Sequence, residues 1–109
     1  DLVAISPQVA SKAEAQSTAL DLEFDVLSDV GNAVARRFGL VFALDQRVRE
    51  VYDAFQFDLP GHNGDDKYEL PVPASYIVDS DRSIRYAFVD ADYTRRLEPA
   101  MILEELAKL

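Results

Sequence analysis

The chain has 109 residues, 49% of them apolar, with 20 acidic against 11 basic side chains and a formal net charge of −9. That length supports one small domain with its own core, and the acidity excludes nucleic acid and anionic membrane surfaces as expected partners. There is no cysteine, so disulfides and cysteine-ligated zinc are excluded, and no apolar run approaches the ~20 residues that span a bilayer. The apolar start at residues 2–5 is short and has no basic leader, so no signal peptide is expected and the cytoplasm is the default location.

In chain order, residues 2–5 (LVAI) form a short apolar run ended by Ser6 and Pro7, the pattern of a buried parallel strand. Ser11 and Glu14 have capping-box spacing and predict a helix from there to about Asp21. Phe24 to Leu27 reads as an edge strand closed by Ser28 and Asp29. Val30, Val34 and Phe38 then share one helical face, with Arg36 and Arg37 near the carboxyl end and Gly39 as terminator. A second amphipathic helix should place Leu44, Val48, Val51, Tyr52 and Phe55 inward, with Asp45 as its cap. Residues 57–68 (FDLPGHNGDDKY) carry the composition of a loop.

Two β-prone runs follow, residues 74–78 and 83–89, joined by the polar turn Ser80-Asp81-Arg82. Pro73 stands directly before the first of them, where a residue without an amide hydrogen belongs. A last helix should start near Glu98, with Pro99 in its first turn and Ile102, Leu103, Leu106 and Leu109 inward. The resulting order β-α-β-α-α-β-β-α predicts a single α/β domain over residues 1–109.

Few side chains suggest chemistry of their own. His62 is the one histidine and sits among Asn63, Asp65 and Asp66, but the spacing fits neither an EF-hand nor a two-histidine zinc helix, so no metal is expected. Asp79, Asp81, Asp90 and Asp92 resemble paired carboxylates, yet turn chemistry explains the first two better. Ser6, Ser11, Ser28 and Ser75 have no histidine or lysine at motif spacing to activate them. Asp29-Val30-Gly31-Asn32 lacks a phosphate-cradling pattern and suits a helix start. The basic pairs Arg36-Arg37, Arg47/Arg49 and Arg95-Arg96 suit solvated surfaces. Tyr76, Tyr86, Phe88 and Tyr93 are expected to form one packed hairpin face.

Six strings taken in order carry a family resemblance: LVAISPQ (2–8), LSD (27–29), FGL (38–40), NGDD (63–66), LPVPASYIVD (70–79) and IRYAFVDADY (84–93). Together they are similar to peroxiredoxin-like proteins of the alkyl hydroperoxide reductase and thiol-specific antioxidant family. The resemblance implies a thioredoxin-like, three-layer α/β/α fold with a mixed sheet, and thiol-based peroxide reduction or disulfide exchange. It implies no metal or organic cofactor, and a thioredoxin- or glutathione-like thiol reductant as partner. It also implies that the Val72–Pro73 bond is the cis-proline bond facing the reactive thiol, which makes Val72 and Pro73 the active-site-adjacent pair. The cysteine-bearing strand, loop and first helix of such a fold would precede Asp1. This chain is therefore expected to be the carboxy-terminal portion of such an oxidoreductase, inactive alone, with its central strand missing. Typical members carry an arginine near the first hairpin strand; here Pro73 precedes Ala74, which resembles the thioredoxin-like branches.

The missing strand should lie between the strand at residues 2–5 and that at 74–78. Either another segment or a second copy fills that place, so a homodimer is one expected form. The alternative is a non-catalytic thioredoxin-like module for dimerisation or protein binding. A third reading, an acidic metal or small-ligand binder, rests only on the His62 loop.

Overall fold

The computed structural model describes all residues, Asp1–Leu109. They form two compact units, Asp1–Pro71 and Val72–Leu109.

The first unit begins with β1 (Val3–Ser6), α1 (Ala10–Ala19) and β2 (Asp25–Ser28). The strands pair in parallel, Val3 opposite Asp25 through Ser6 opposite Ser28, with α1 as the connection that parallel strands require. Ala13, on α1, is buried, and α1 packs on β2. The predicted capping box does not form: Val9 is the N-cap and makes no side-chain bond. Its backbone explains the shift, because the Val9 amide donates to the His62 carbonyl at 2.7 Å. That tie fixes the chain before Ser11, so the helix opens at Ala10 and Ser11 lies inside it.

After β2 the expected continuous helix is broken. A 3₁₀ turn (Val30–Asn32) leads into α2 (Ala33–Arg37), with Gly31 and Asn32 both left-handed at φ 77° and 58°. A right-handed helix cannot run through two such residues. Asp29 bridges the break: its two carboxylate oxygens accept from the amides of Val34 and Ala35, each at 2.9 Å. The helix still ends at left-handed Gly39, as its sequence predicts. Its expected inward face is half open, with Val30, Val34 and Phe38 all exposed.

Two short strands then pair antiparallel, β3 (Val41–Ala43) and β4 (Glu69–Pro71). Between them α3 (Gln46–Ala54) has the predicted cap, Asp45 accepting from the Val48 amide at 2.9 Å. Leu44 is buried as expected, whereas Val51 and Phe55 are exposed, Phe55 at 81%. The stretch expected to be loop contains α4 (Leu59–Asn63), capped by Asp58 and ended by left-handed Gly64. Its Pro, Gly and Asn residues are a start-and-stop set for one helical turn, with Pro60 in the tolerated first turn.

The second unit is the predicted hairpin and helix: β5 (Ala74–Val78), β6 (Ile84–Val89) and α5 (Pro99–Ala107). Ala74 opposes Val89 and Ile77 opposes Tyr86, with a bulge between Ile77 and Val78. Ile77 is the buried apolar side chain here, and of the residues expected inward, Leu103 and Leu106 of α5 and Leu109 beyond it are exposed.

The ladders are one parallel and two antiparallel pairs, each two strands wide. Val3 finds its partner in β2 and Tyr76 finds its partner, Ala87, in β6. Both β1 and β5 therefore keep one edge without ladder partners. The face of β1 and β2 away from α1 is open as well, with Val3 48%, Ile5 55% and Leu27 51% exposed.

Replacing Asp29 by alanine is expected to cost about 1–2 kcal/mol, the upper part of the range for a lost cap, since two amides lose their acceptor. Asp29→Asn keeps one acceptor oxygen and should cost less. Urea unfolding of the three proteins, compared at constant m-value, checks both.

Candidate functional site

The sequence directs attention to Val72 and Pro73. All peptide bonds are trans, which corrects the expected cis bond at Val72–Pro73. Ladder pairing explains the placement without it. β4 ends at Pro71 and β5 opens at Ala74, so the two prolines bracket a break where no amide of theirs is needed for a ladder. Pro73 acts in this structure as a strand-entry residue.

The four candidate carboxylates are spent on local structure. Asp79 accepts from the Ser80 amide at 2.7 Å and pairs with the Arg85 guanidinium at 2.9 Å. The Ser80 amide, with Arg85 beside it, holds the Asp79 carboxyl below the usual carboxylate range. Asp81 accepts from the Ser83 amide, and Asp90 from the Asp92 amide. Asp92 in turn takes the hydroxyl and amide of Thr94, and these lower its carboxyl. Each of the four has a hydrogen-bond partner within its own turn.

His62 stands on α4, with its ring stacked on Phe57 at 5.3 Å and 12° and its Nδ1 2.8 Å from the Asp58 carbonyl oxygen. No three His, Asp or Glu side chains converge on a common point. The imidazole is a brace for the turn it sits on.

Two arginines do more than coat a surface. Arg36 pairs with Glu69 at 3.0 Å and donates to the Gly31 carbonyl. Arg49 donates to the carbonyls of Leu44 and Lys67 and lies 4.8 Å over the Tyr68 ring. Partial burial and the Asp53 carboxylate beside it raise the Tyr68 phenol above its ordinary value. Sequence spacing carries no sign of either bridge, because both join residues far apart in the chain.

The expected aromatic face divides in two. Tyr86 and Phe88 lie opposite Ile77 and Ser75 on one side of the hairpin, while Tyr76 and Ala87 occupy the other. Tyr93 lies beyond β6 and is exposed.

Sequence reasoning missed the polar knot of the first unit. The Asp29 amide donates to the Ser6 carbonyl at 2.7 Å, and Asn32 Nδ2 donates to the Glu69 carbonyl at 3.3 Å. The end of β1, the start of α2 and the start of β4 are thereby joined through two buried polar residues. The apolar-to-polar switch at Asp29 was the one available signal. A groove of ≈ 380 Å³ runs between α1 and β2, lined by Glu14, Ser17, Thr18, Phe24 and Val26 among others. No nucleophile with an activating base lines it.

Each of the six strands has a single ladder partner, in a chain without cysteine. The AhpC/TSA family model matches residues 1–87. The chain belongs to the AhpC/TSA family. Membership carries with it a thioredoxin-like α/β fold and the peroxiredoxin-like, thiol-based redox chemistry of that family. No curated protein and no solved structure matches the chain. No helix of the structure is long and apolar enough to cross a membrane.

Because the Asp79 carboxyl is lowered by bonds it makes only in the folded turn, its contribution is present above its unfolded pKa. It is lost as pH falls through the folded value. The β5–β6 turn is therefore expected to loosen in acid below the ordinary carboxylate range. Exchange protection of the Ser80 amide, which donates to Asp79, should fall there in the native chain and lose that acid dependence in Asp79→Asn.

Proposed function

We propose that this chain is the carboxy-terminal portion of a peroxiredoxin-like thiol oxidoreductase, whose reactive cysteine arrives on a strand that pairs with the open edges of β1 and β5. The observation that carries the reading is the match of residues 1–87 to a thiol-dependent family in a chain that has no cysteine. An unpaired edge presents amides and carbonyls that cost about 1–3 kcal/mol each if buried without partners. An incoming strand that pairs along such an edge would satisfy its row of amides and carbonyls.

On this reading Val72 and Pro73, at the entry to β5, are the pair expected beside the thiol, as the family resemblance implies. The thiolate attacks a peroxide oxygen; the O–O bond breaks, an alcohol or water leaves, and the sulfur becomes a sulfenic acid. A thioredoxin- or glutathione-like thiol then supplies the two electrons that restore it. Hydroxyl side chains cannot follow this cycle, so the 109 residues alone are inactive. A second copy that lends a strand is the homodimeric form of the same proposal.

The chain alone is expected to consume no peroxide with dithiothreitol above a boiled control. Extending the chain upstream through its own coding sequence should restore peroxide or disulfide turnover and raise the thermal midpoint. A cysteine-free extension that raises the midpoint without turnover would instead favour a non-catalytic, protein-binding module. An extension that changes neither would overturn both.

A further inference from the structure

The helical turn α4 closes on a chemically labile pair. Gly64 has φ 75°, the left-handed conformation that ends the helix, and a Cβ built on it would stand 2.7 Å from Val9 Cγ1. Glycine is therefore required at position 64. The residue before it is Asn63, and asparagine followed by glycine is the dipeptide most open to attack by its own backbone. The other asparagine, Asn32, is followed by Ala33, whose methyl group hinders the same reaction.

The fold holds that reaction back. Asn63 is the last residue of α4 and only 5% exposed. The Gly64 amide that would attack donates to the Pro60 carbonyl at 2.8 Å. The turn itself is held from three sides: the Asp58 carboxylate accepts from the Gly61 amide at 3.0 Å, the His62 ring stacks on Phe57, and the His62 carbonyl takes the Val9 amide. The Gly64 amide must leave the Pro60 carbonyl before its nitrogen can attack the Asn63 side chain, and these contacts hold the turn in which that bond is made.

We propose that the Asn63-Gly64 pair is a spontaneous deamidation site whose rate is set by the opening of α4. Once the turn opens, hydroxide takes the Gly64 amide proton and the nitrogen attacks Asn63 Cγ. The new N–C bond forms, the Cγ–Nδ2 bond breaks and ammonia leaves, its last proton coming from water, which regenerates the hydroxide. Water then opens the five-membered imide at either carbonyl, leaving an aspartate or an isoaspartate. Only water is consumed. The product carries one more negative charge in a chain already at −9, at a position with almost no access to solvent. The turn cannot reclose around that charge as before, so each event loosens the tie between α4 and the start of α1 irreversibly.

Peptide mapping by mass spectrometry measures conversion at position 63 in the folded full chain and in the same chain unfolded in urea, with Asn32 as internal reference. Conversion at 63 should be at least about tenfold slower in the folded chain, and the slowing should equal the hydrogen-exchange protection of the Gly64 amide, because both need the same opening. Asp58→Ala, which uncaps the turn, should bring the folded rate towards the unfolded one. If that variant does not fold, the match between slowing and Gly64 protection in the native chain still decides. Equal rates in the folded and unfolded chain overturn the proposal, as do a slowing unrelated to Gly64 protection and an unfolded chain that converts no faster at 63 than at 32.

Discussion

A ladder two strands wide gives each strand a ladder partner along one edge only, and every ladder in this chain is two strands wide. Most of the other features follow from that constraint. A strand paired on one side with one covered face cannot be the centre of a core. β1 illustrates the point: its sequence is the continuous apolar run of a strand buried on both faces, yet Val3 and Ile5 remain half exposed. Its composition suits a sheet wider than the one it occupies.

With so little apolar surface enclosed, the local geometry is held by polar contacts. The buried apolar side chains are Ala13, Leu44, Leu59 and Ile77, three in the first unit and one in the second. Against that small set stand three aspartates that each fix a helix start: Asp29 for α2, Asp45 for α3 and Asp58 for α4. Such caps order single turns and do not replace a core, because each is worth about 1 kcal/mol against a far larger chain entropy. The second unit depends in the same way on its turn, where Asp79 and Asp81 both reach Arg85. Charge and amide geometry define the elements, and burial contributes less than the apolar content of the sequence would allow.

This balance explains what could be read from the sequence. Elements that carry their own signal were legible: α3 through its period and Asp45, the hairpin through alternation around a polar turn, and α5 through Pro99 and its apolar spacing. β3 and β4 were not, since three residues are too few to show a period and their pairing is between segments far apart. α4 was hidden because its capping residues are also the residues of loops. The break at Gly31 and Asn32 was hidden for a different reason. The apolar spacing of Val30, Val34 and Phe38 is helical across it, and only the reach of the Asp29 carboxylate to Val34 and Ala35 shows that the helix starts later. Inward faces were the least legible feature, because an apolar stripe records the surface a helix is built to meet. Phe55, Leu103 and Leu106 carry such stripes where this chain encloses nothing over them.

The same constraint limits how a cysteine-free member of a thiol-dependent family could be completed. A thiolate needs positive potential close by, and in this fold class that comes from the amino end of a helix next to the strand that delivers it. This chain has no cysteine with which to use that setting itself. Its helices α2, α3 and α4 have early amides taken by Asp29, Asp45 and Asp58, whereas α1 and α5 start without a side-chain cap, and a net charge of −9 opposes a further anion. On the proposed reading the incoming segment brings strand, thiol and helix together. The chain's part on that reading is to offer the strands and helices of the family's scaffold. That division of labour accounts for a sequence rich in the family's scaffold strings and empty of its reactive atom.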